Sequence, residues 1–297
     1  MDLQTPLYEM GVQGIFTKSL DIALLMGKID IAVHSMKDVP TQLPQGIVQA
    51  AVLERASYND ILVYKGQAIN IYNQLGYHEG EWSDVNKPAA VNNISGGIHD
   101  TLEVNDALPP FTIATSSIRR KAQWLNRYPN HIVENLRGNV NTRLQKVQDN
   151  NWNGAIFAAA GLERIGLRPY NTIDLAWMLP APAQGAIMVV CREDDEITRN
   201  ACAFFNHTNT AVCTKIERDF LRGLLGGCST PISALAQVKE GKIYFKGNIL
   251  STDGKEKAEM ERTISMEEAA DFGQAAATAI LNNGGQKIAD GIQHGSK

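Results

Sequence analysis

An α/β architecture followed by a small α+β unit is predicted for this chain, and three observations predict it. Through the first two thirds, short apolar runs alternate with helix-period segments, the grammar of βα units in an open, mainly parallel sheet. Beyond about residue 208 strand-like runs follow one another directly, with Glu240-Gly241 and Asp253-Gly254 as hairpin signals between them. Between these, Leu75 to Asp106 is rich in Asn, Gly, Asp and Pro and weak in apolar periodicity, so it reads as a surface insertion separating two globular blocks.

The elements follow in order. Ser19 to Met26 is predicted helical, with Leu20, Ala23, Leu24 and Leu25 apolar and Gly27 as its stop. Ile29 to Val33 reads as a buried strand that runs into His34-Ser35-Met36-Lys37-Asp38-Val39-Pro40, where Pro40 bars a central strand. A polar cluster therefore sits past a strand end, where open α/β sheets place ligands. After the insertion one pattern repeats: strand Phe111–Ala114 and helix Ile118–Asn126, then strand His131–Leu136 and helix Val140–Gln148, then strand Ala155–Ala160 and a helix from about Gly161. Pro180 to Gly185 is a crossing segment into the strand Ala186–Cys191. A helix through Lys215–Leu225 then meets the loop Gly226-Gly227-Cys228-Ser229-Thr230-Pro231. Strands at about 232–238, 242–251 and 257–265, and a helix from Met266 to Leu281, form a small α+β unit with an antiparallel sheet.

Composition narrows the function. The 297 residues are 44% hydrophobic and 20% charged, an ordinary globular make-up for about two to three domains. No apolar run reaches the roughly 18 residues a bilayer crossing needs, and the start lacks the basic and apolar regions of a secretory signal. A net charge of −4 argues against a nucleic-acid binder working through bulk positive charge. The four cysteines make no C-x-x-C pair, which argues against zinc and for reduced thiols in the cytoplasm. Walker A, G-x-G-x-x-G, H-E-x-x-H and G-x-S-x-G signatures are absent.

Two of the βα turns read as anion sites. Ser116 or Ser117 caps a helix whose first turn holds Arg119 and Arg120, and Arg137, Asn139, Thr142 and Arg143 surround the start of the next. Cations gain nothing from that end of the helix dipole, so four arginines there suggest an external, multiply charged anion; pairing with surface acids is the plainer reading of any one turn. Asp38, beside Lys37, is placed to stabilise developing positive charge or handle a proton, or simply to cap a turn before Pro40. His34 reads as a packed core histidine. Cys228, between glycines and small polar residues, is the accessible thiol, whereas Cys191, Cys202 and Cys213 lie in apolar contexts. The residues alone stop at an α/β protein with a multi-anionic ligand in a cleft and a candidate nucleophilic thiol.

The segment from His34 to Pro40, the Thr-Ser-Ser-Ile-Arg-Arg run at 115–120, Leu136-Arg137-Gly138-Asn139-Val140 with Thr142-Arg143-Leu144, and Gly226-Gly227-Cys228 before Pro231 together resemble the porphobilinogen deaminases, also called hydroxymethylbilane synthases. Gly14 to Lys18 and Pro182 to Ala186 are similar to two further segments of that family. The resemblance implies two α/β domains like those of periplasmic binding proteins, at 1–57 with 182–205 and at 58–181, and a third at 208–297. It implies stepwise condensation of four porphobilinogen molecules with loss of ammonia, then hydrolysis to hydroxymethylbilane. Cys228 would carry a dipyrromethane cofactor through a thioether, and Asp38 would be catalytic, hydrogen-bonding pyrrole N–H groups and stabilising an azafulvene cation. Lys37, Ser35, Ser117, Arg119, Arg120 and Arg143 would hold the cofactor. Arg137, Arg120, Thr115, Phe16 and Gln184 would bind substrate, a small polycarboxylate pyrrole. No metal, nucleic acid or membrane is implied, and a monomer is expected. Replacing Arg119 or Arg143 by Leu is then expected to weaken ligand binding without unfolding.

Two departures from the family stand out. Its members open with a strand–helix–strand segment bearing an Arg-x-Ser-x-Leu-Ala-Leu motif, whereas this sequence begins near Thr5-Pro6-Leu7, after it. It is thus read as a truncated member with exposed apolar sheet edges, and Glu9 and Gln13 stand where many members have lysine. The insertion near 75–106 is the second. A non-catalytic anion-binding protein of the solute-binding type, which needs neither Cys228 nor Asp38, and an inactive truncated deaminase are the alternatives.

Overall fold

The computed structural model describes residues 17–76, 110–224 and 230–294. The expectations for Phe16, Cys228, the N-terminal residues and nearly all of the insertion lie outside the described residues.

The chain opens with helix α1 (Lys18–Leu25) and strand β1 (Ile31–Ser35), which ends in a 3₁₀ turn, Met36–Asp38. Strand β2 (Ile47–Val52) follows, then β3 (Asp60–Tyr64), buried along its whole length, and helix α2 (Ala68–Leu75). The repeated pattern appears as β4 (Thr112–Ala114), α3 (Ile118–Arg127), β5 (Ile132–Glu134), α4 (Val140–Asp149), β6 (Gly154–Ala158) and α5 (Ala159–Glu163). After β7 (Thr172–Asp174) the chain crosses to β8 (Ile187–Arg192) and helix α6 (Glu196–Ala203). Helix α7 (Thr208–Gly223) leads into β9 (Ile232–Lys239), β10 (Lys242–Leu250), β11 (Lys257–Ser265), α8 (Ala269–Ile280) and α9 (Gln286–His294). No helix among the described residues is long and apolar enough to cross a membrane.

Three sheets result, in the orders β1-β8-β2, β5-β4-β6-β3-β7 and β11-β10-β9. The mainly parallel sheet predicted for the first two thirds is corrected here. In the first sheet β8 runs antiparallel to both neighbours. In the second, β4 is parallel to β5 and β6, but β3 is antiparallel to β6 and β7. The reason is connectivity: β3 and β8 enter their sheets along segments crossing from the other sheet, not through a helical crossover of the kind that keeps strands parallel. The C-terminal sheet is antiparallel as predicted, with β10 paired to β9 and β11 across the two hairpins.

Each sheet has its own apolar cluster. Leu24, Met36, Val52 and Val190 cover one face of the first, while both faces of the second are packed, around Trp124 and Ile156 on one side and Ile61, Val147 and Phe157 on the other. Phe220, Phe245 and Ala276 centre the third. On β1, an edge strand among the described residues, Ile31 and Val33 are 43% and 54% exposed.

Candidate active site

The crossing segments lie against each other so closely that only glycine fits. Gly185 has φ +87°, and a Cβ there would stand 2.7 Å from the carbonyl oxygens of Ala56 and Ser57. Ala183, beside it, holds a positive φ of 62°. This contact delivers Gln184, buried, to Asp60 at the head of β3: its Nε2–H donates to Asp60 Oδ1 at 2.9 Å and to the Tyr58 carbonyl at 2.8 Å.

Asp60 is the residue that sequence reasoning missed. Its fully buried carboxylate accepts from Arg119 at 2.6 Å and from Arg120 at 2.7 and 3.1 Å. Burial alone pushes its carboxyl up, but the two guanidiniums overcome this and hold it well below the usual carboxylate range. Arg119 also donates to the Leu179 carbonyl and Arg120 to that of Ile156. Arg119 and Arg120 therefore have their counter-ion from β3 and need no external anion to be neutralised, which corrects the expectation for this pair. A signal existed: a charge heading the apolar run Ile61-Leu62-Val63-Tyr64 demands a buried partner.

Arg137 and Arg143 differ. Neither has a carboxylate within ion-pair distance among the described residues, and both are half-buried. Arg143 Nε donates to the Gly138 carbonyl at 2.7 Å, and its guanidinium is depressed by burial first and then by the charges of Arg120 and Arg137. The α4 start is capped by Asn139, which accepts from the Thr142 N–H at 2.9 Å. Ser117, not Ser116, caps α3 by accepting from the Arg120 N–H. Ser116 instead exchanges hydrogen bonds with the Leu136 backbone, tying the two turns together, and buried Thr115 accepts from the Ser117 N–H.

Lys37 comes to this cluster from the other sheet. Its ammonium is lowered by burial first and by Arg120 next, with Asp38 and Asp60 opposing. The turn after β1 thus faces the helix starts of the second sheet. Asp38 itself is exposed, Ser35 is half-buried, and buried Gln184 keeps its Oε1 without a hydrogen-bond partner among the described residues. His34 Nε2 is likewise buried and unpartnered there. Several cations, one internal carboxylate and a spare acceptor suit a ligand that carries carboxylates and N–H donors.

The other thiols are poor nucleophiles. Cys191, Cys202 and Cys213 are buried and free; burial, helped by Glu217, pushes the Cys213 thiol up to about 11, and burial raises Cys191.

Comparison with known proteins places these residues in context. The family model "Porphobilinogen deaminase, dipyromethane cofactor binding domain" matches residues 1–200, and "Porphobilinogen deaminase, C-terminal domain" matches 211–282. A porphobilinogen deaminase from Pelobacter propionicus is 33% identical over 293 residues, covering 98% of this chain and 83% of the relative. Among solved structures, a periplasmic sulfonate-binding protein from Methylobacillus flagellatus is similar at TM-score 0.33 and 12% identity, over 68% of this chain and 52% of that one. An amino-acid substrate-binding protein from Streptococcus pneumoniae, bound to L-arginine, reaches 0.30 and 13%, over 63% and 65%. At those scores the structural likeness carries no argument.

Proposed function

This chain belongs to the porphobilinogen deaminase family, and from that premise we propose that it joins porphobilinogen units head to tail on a dipyrromethane primer and releases hydroxymethylbilane by hydrolysis. The chemistry is that of a transferase: carbon–carbon bonds form between pyrroles as ammonia is lost. We assign residues 1–57 with 182–205, 58–181 and 208–297 to three domains, and take the protein to be a cytoplasmic monomer.

The observation that carries the reading is the crowding of cations around Arg120: its charge lowers Lys37 and, with that of Arg137, lowers Arg143, while the one carboxylate of Asp60 is shared between Arg119 and Arg120. A site of this kind attracts carboxylates, and each porphobilinogen brings an acetate and a propionate. Arg143, Arg119, Arg120, Lys37, Ser35 and Ser117 are the proposed holders of the dipyrromethane, attached at Cys228, and Arg137, Arg120, Thr115, Phe16 and Gln184 those of the incoming substrate. The spare Oε1 of Gln184 supplies an acceptor for a pyrrole N–H. When bound, the dipyrromethane supplies a nucleophilic pyrrole carbon on a covalent tether. Asp38, exposed beside Lys37, stabilises the positive charge that grows on the substrate ring as ammonia leaves. A binding protein without chemistry is not favoured, since the family match runs through both the α/β portion and the C-terminal unit.

The test is the intact mass of the purified protein and of Cys228→Ser, with an aldehyde colour reaction for pyrroles. An adduct of dipyrromethane size that vanishes in the variant is expected; an adduct that persists in Cys228→Ser overturns the assignment of that cysteine. In Asp38→Asn the adduct should remain while turnover falls on the order of 10²-fold. Normal turnover would remove Asp38 from the mechanism.

A further inference from the structure

One buried guanidinium on α7 reaches across to the turn that carries Asp38. Arg218 Nη1 donates to the carbonyls of Met36 at 3.2 Å and Val39 at 3.0 Å, and its Nη2 donates to that of Pro40 at 2.6 Å. Its side chain is buried. The three acceptors bracket Lys37 and Asp38 on both sides in sequence. Met36 opens the single 3₁₀ turn and its carbonyl also accepts from the Val39 N–H at 3.2 Å, whereas Val39 and Pro40 follow the turn, past the last helical residue. Pro40 can form no N–H bond that would fix the chain exit. A fork of donors in one plane is the group suited to gather three convergent carbonyls, and an ammonium cannot reproduce it.

The same helix leads into the segment bearing Cys228. Its next residue inward, Glu217, is fixed to Ala183 N, Ala236 N and Arg55, so the backbone from which Arg218 extends is itself anchored. We propose that Arg218 is a positioning residue: by holding the backbone on either side of Asp38, it aims that carboxylate relative to α7, the helix that precedes Cys228 in the sequence. The inference rests on the catalytic reading of Asp38 given above. Arg218 acts through the turn; contact with substrate is no part of the role.

The test compares Arg218→Met with the parent protein in three measurements. First, amide hydrogen exchange in a Cys228→Ser background, which carries no tethered pyrrole, is expected to speed up at Lys37 to Val39 while the β9–β11 amides stay protected. Second, kcat is expected to fall on the order of 10²-fold with KM little changed, the size of loss that a misplaced catalytic group produces. Third, Asp38→Asn/Arg218→Met is expected to be no slower than Asp38→Asn alone, because Arg218 has nothing left to position. Unchanged exchange at the turn, or losses that multiply in the double variant, would overturn the proposal. If Arg218→Met fails to fold, Arg218→Lys, which keeps the charge and loses the fork, is read in the same assays. Should Asp38→Asn alone turn over normally, the catalytic reading fails while the exchange measurement still tests the clamp.

Discussion

His131 stacks on Tyr128 with ring centroids 4.7 Å apart, and its Nδ1 accepts from the Trp124 indole N–H at 3.3 Å. Burial lowers its ionisation from 6.5 to about 4. The folded protein therefore resists protonation that the unfolded chain accepts. Between about pH 6.5 and 4 the unfolded state binds more protons, so stability falls as pH drops through that window. His131→Phe, which keeps the stack and has no proton to take up, is expected to flatten this part of the profile in urea melts at stepped pH. Asp60 runs the other way. Its carboxyl is held low by two arginines, so its contribution is complete above the ordinary carboxylate range and is lost only in strong acid. At this scale the sequence displayed each side chain but not its partner: Arg119 looked like a receptor for an outside anion because Asp60, 59 residues earlier, is brought to it only by folding.

Helices α3 and α4 begin alike, each with an oxygen cap and nearby arginines, yet they do different work. The first is fastened to β3 by a buried ion pair. Arg119→Leu is expected to cost about 3–5 kcal/mol by leaving Asp60 half-paired, seen as a lowered urea midpoint. This corrects the expectation that such a variant leaves the fold intact, because Arg119 is paired to buried Asp60. Arg143→Leu breaks no ion pair among the described residues and should leave the midpoint nearly unchanged. It should lower the fraction of chains that carry the dipyrromethane adduct, measured by the intact mass of the purified variant. The elements themselves were largely legible. Periodicity located α1, α3, α4 and the three C-terminal strands within a few residues, because each has a face that its neighbours bury. Strand direction was not legible, since it depends on whether a chain returns through a helix or crosses to another sheet.

Across the whole molecule, one carboxylate fastens three parts. Glu217, fully buried on α7, accepts from Arg55 at 2.6 and 3.0 Å, from the Ala183 N–H at 2.6 Å and from the Ala236 N–H at 2.7 Å. These donors lie on the two crossing segments and on β9, so the residue ties the helix before Cys228 to the junction of the first two sheets. Glu217→Gln should destabilise by about 3–5 kcal/mol, because Arg55 keeps its charge and loses its anion. Exchange at the Ala183 and Ala236 amides should quicken together; a change at only one would show that the parts are not coupled through this carboxylate. What the sequence determined by itself was the class of each unit, the turns that hold the proposed reactive side chains, and the family, because periodicity, capping and contiguous motifs are written in neighbouring residues. What only the tertiary structure decided was which charges neutralise each other and which remain for a ligand. Pairings such as Asp60 with Arg119, Arg55 with Glu217, or Arg218 with the turn at Met36–Pro40 join residues far apart in the chain. Local spacing carries no trace of them, and the desolvation that makes them matter exists only once the sheets have packed.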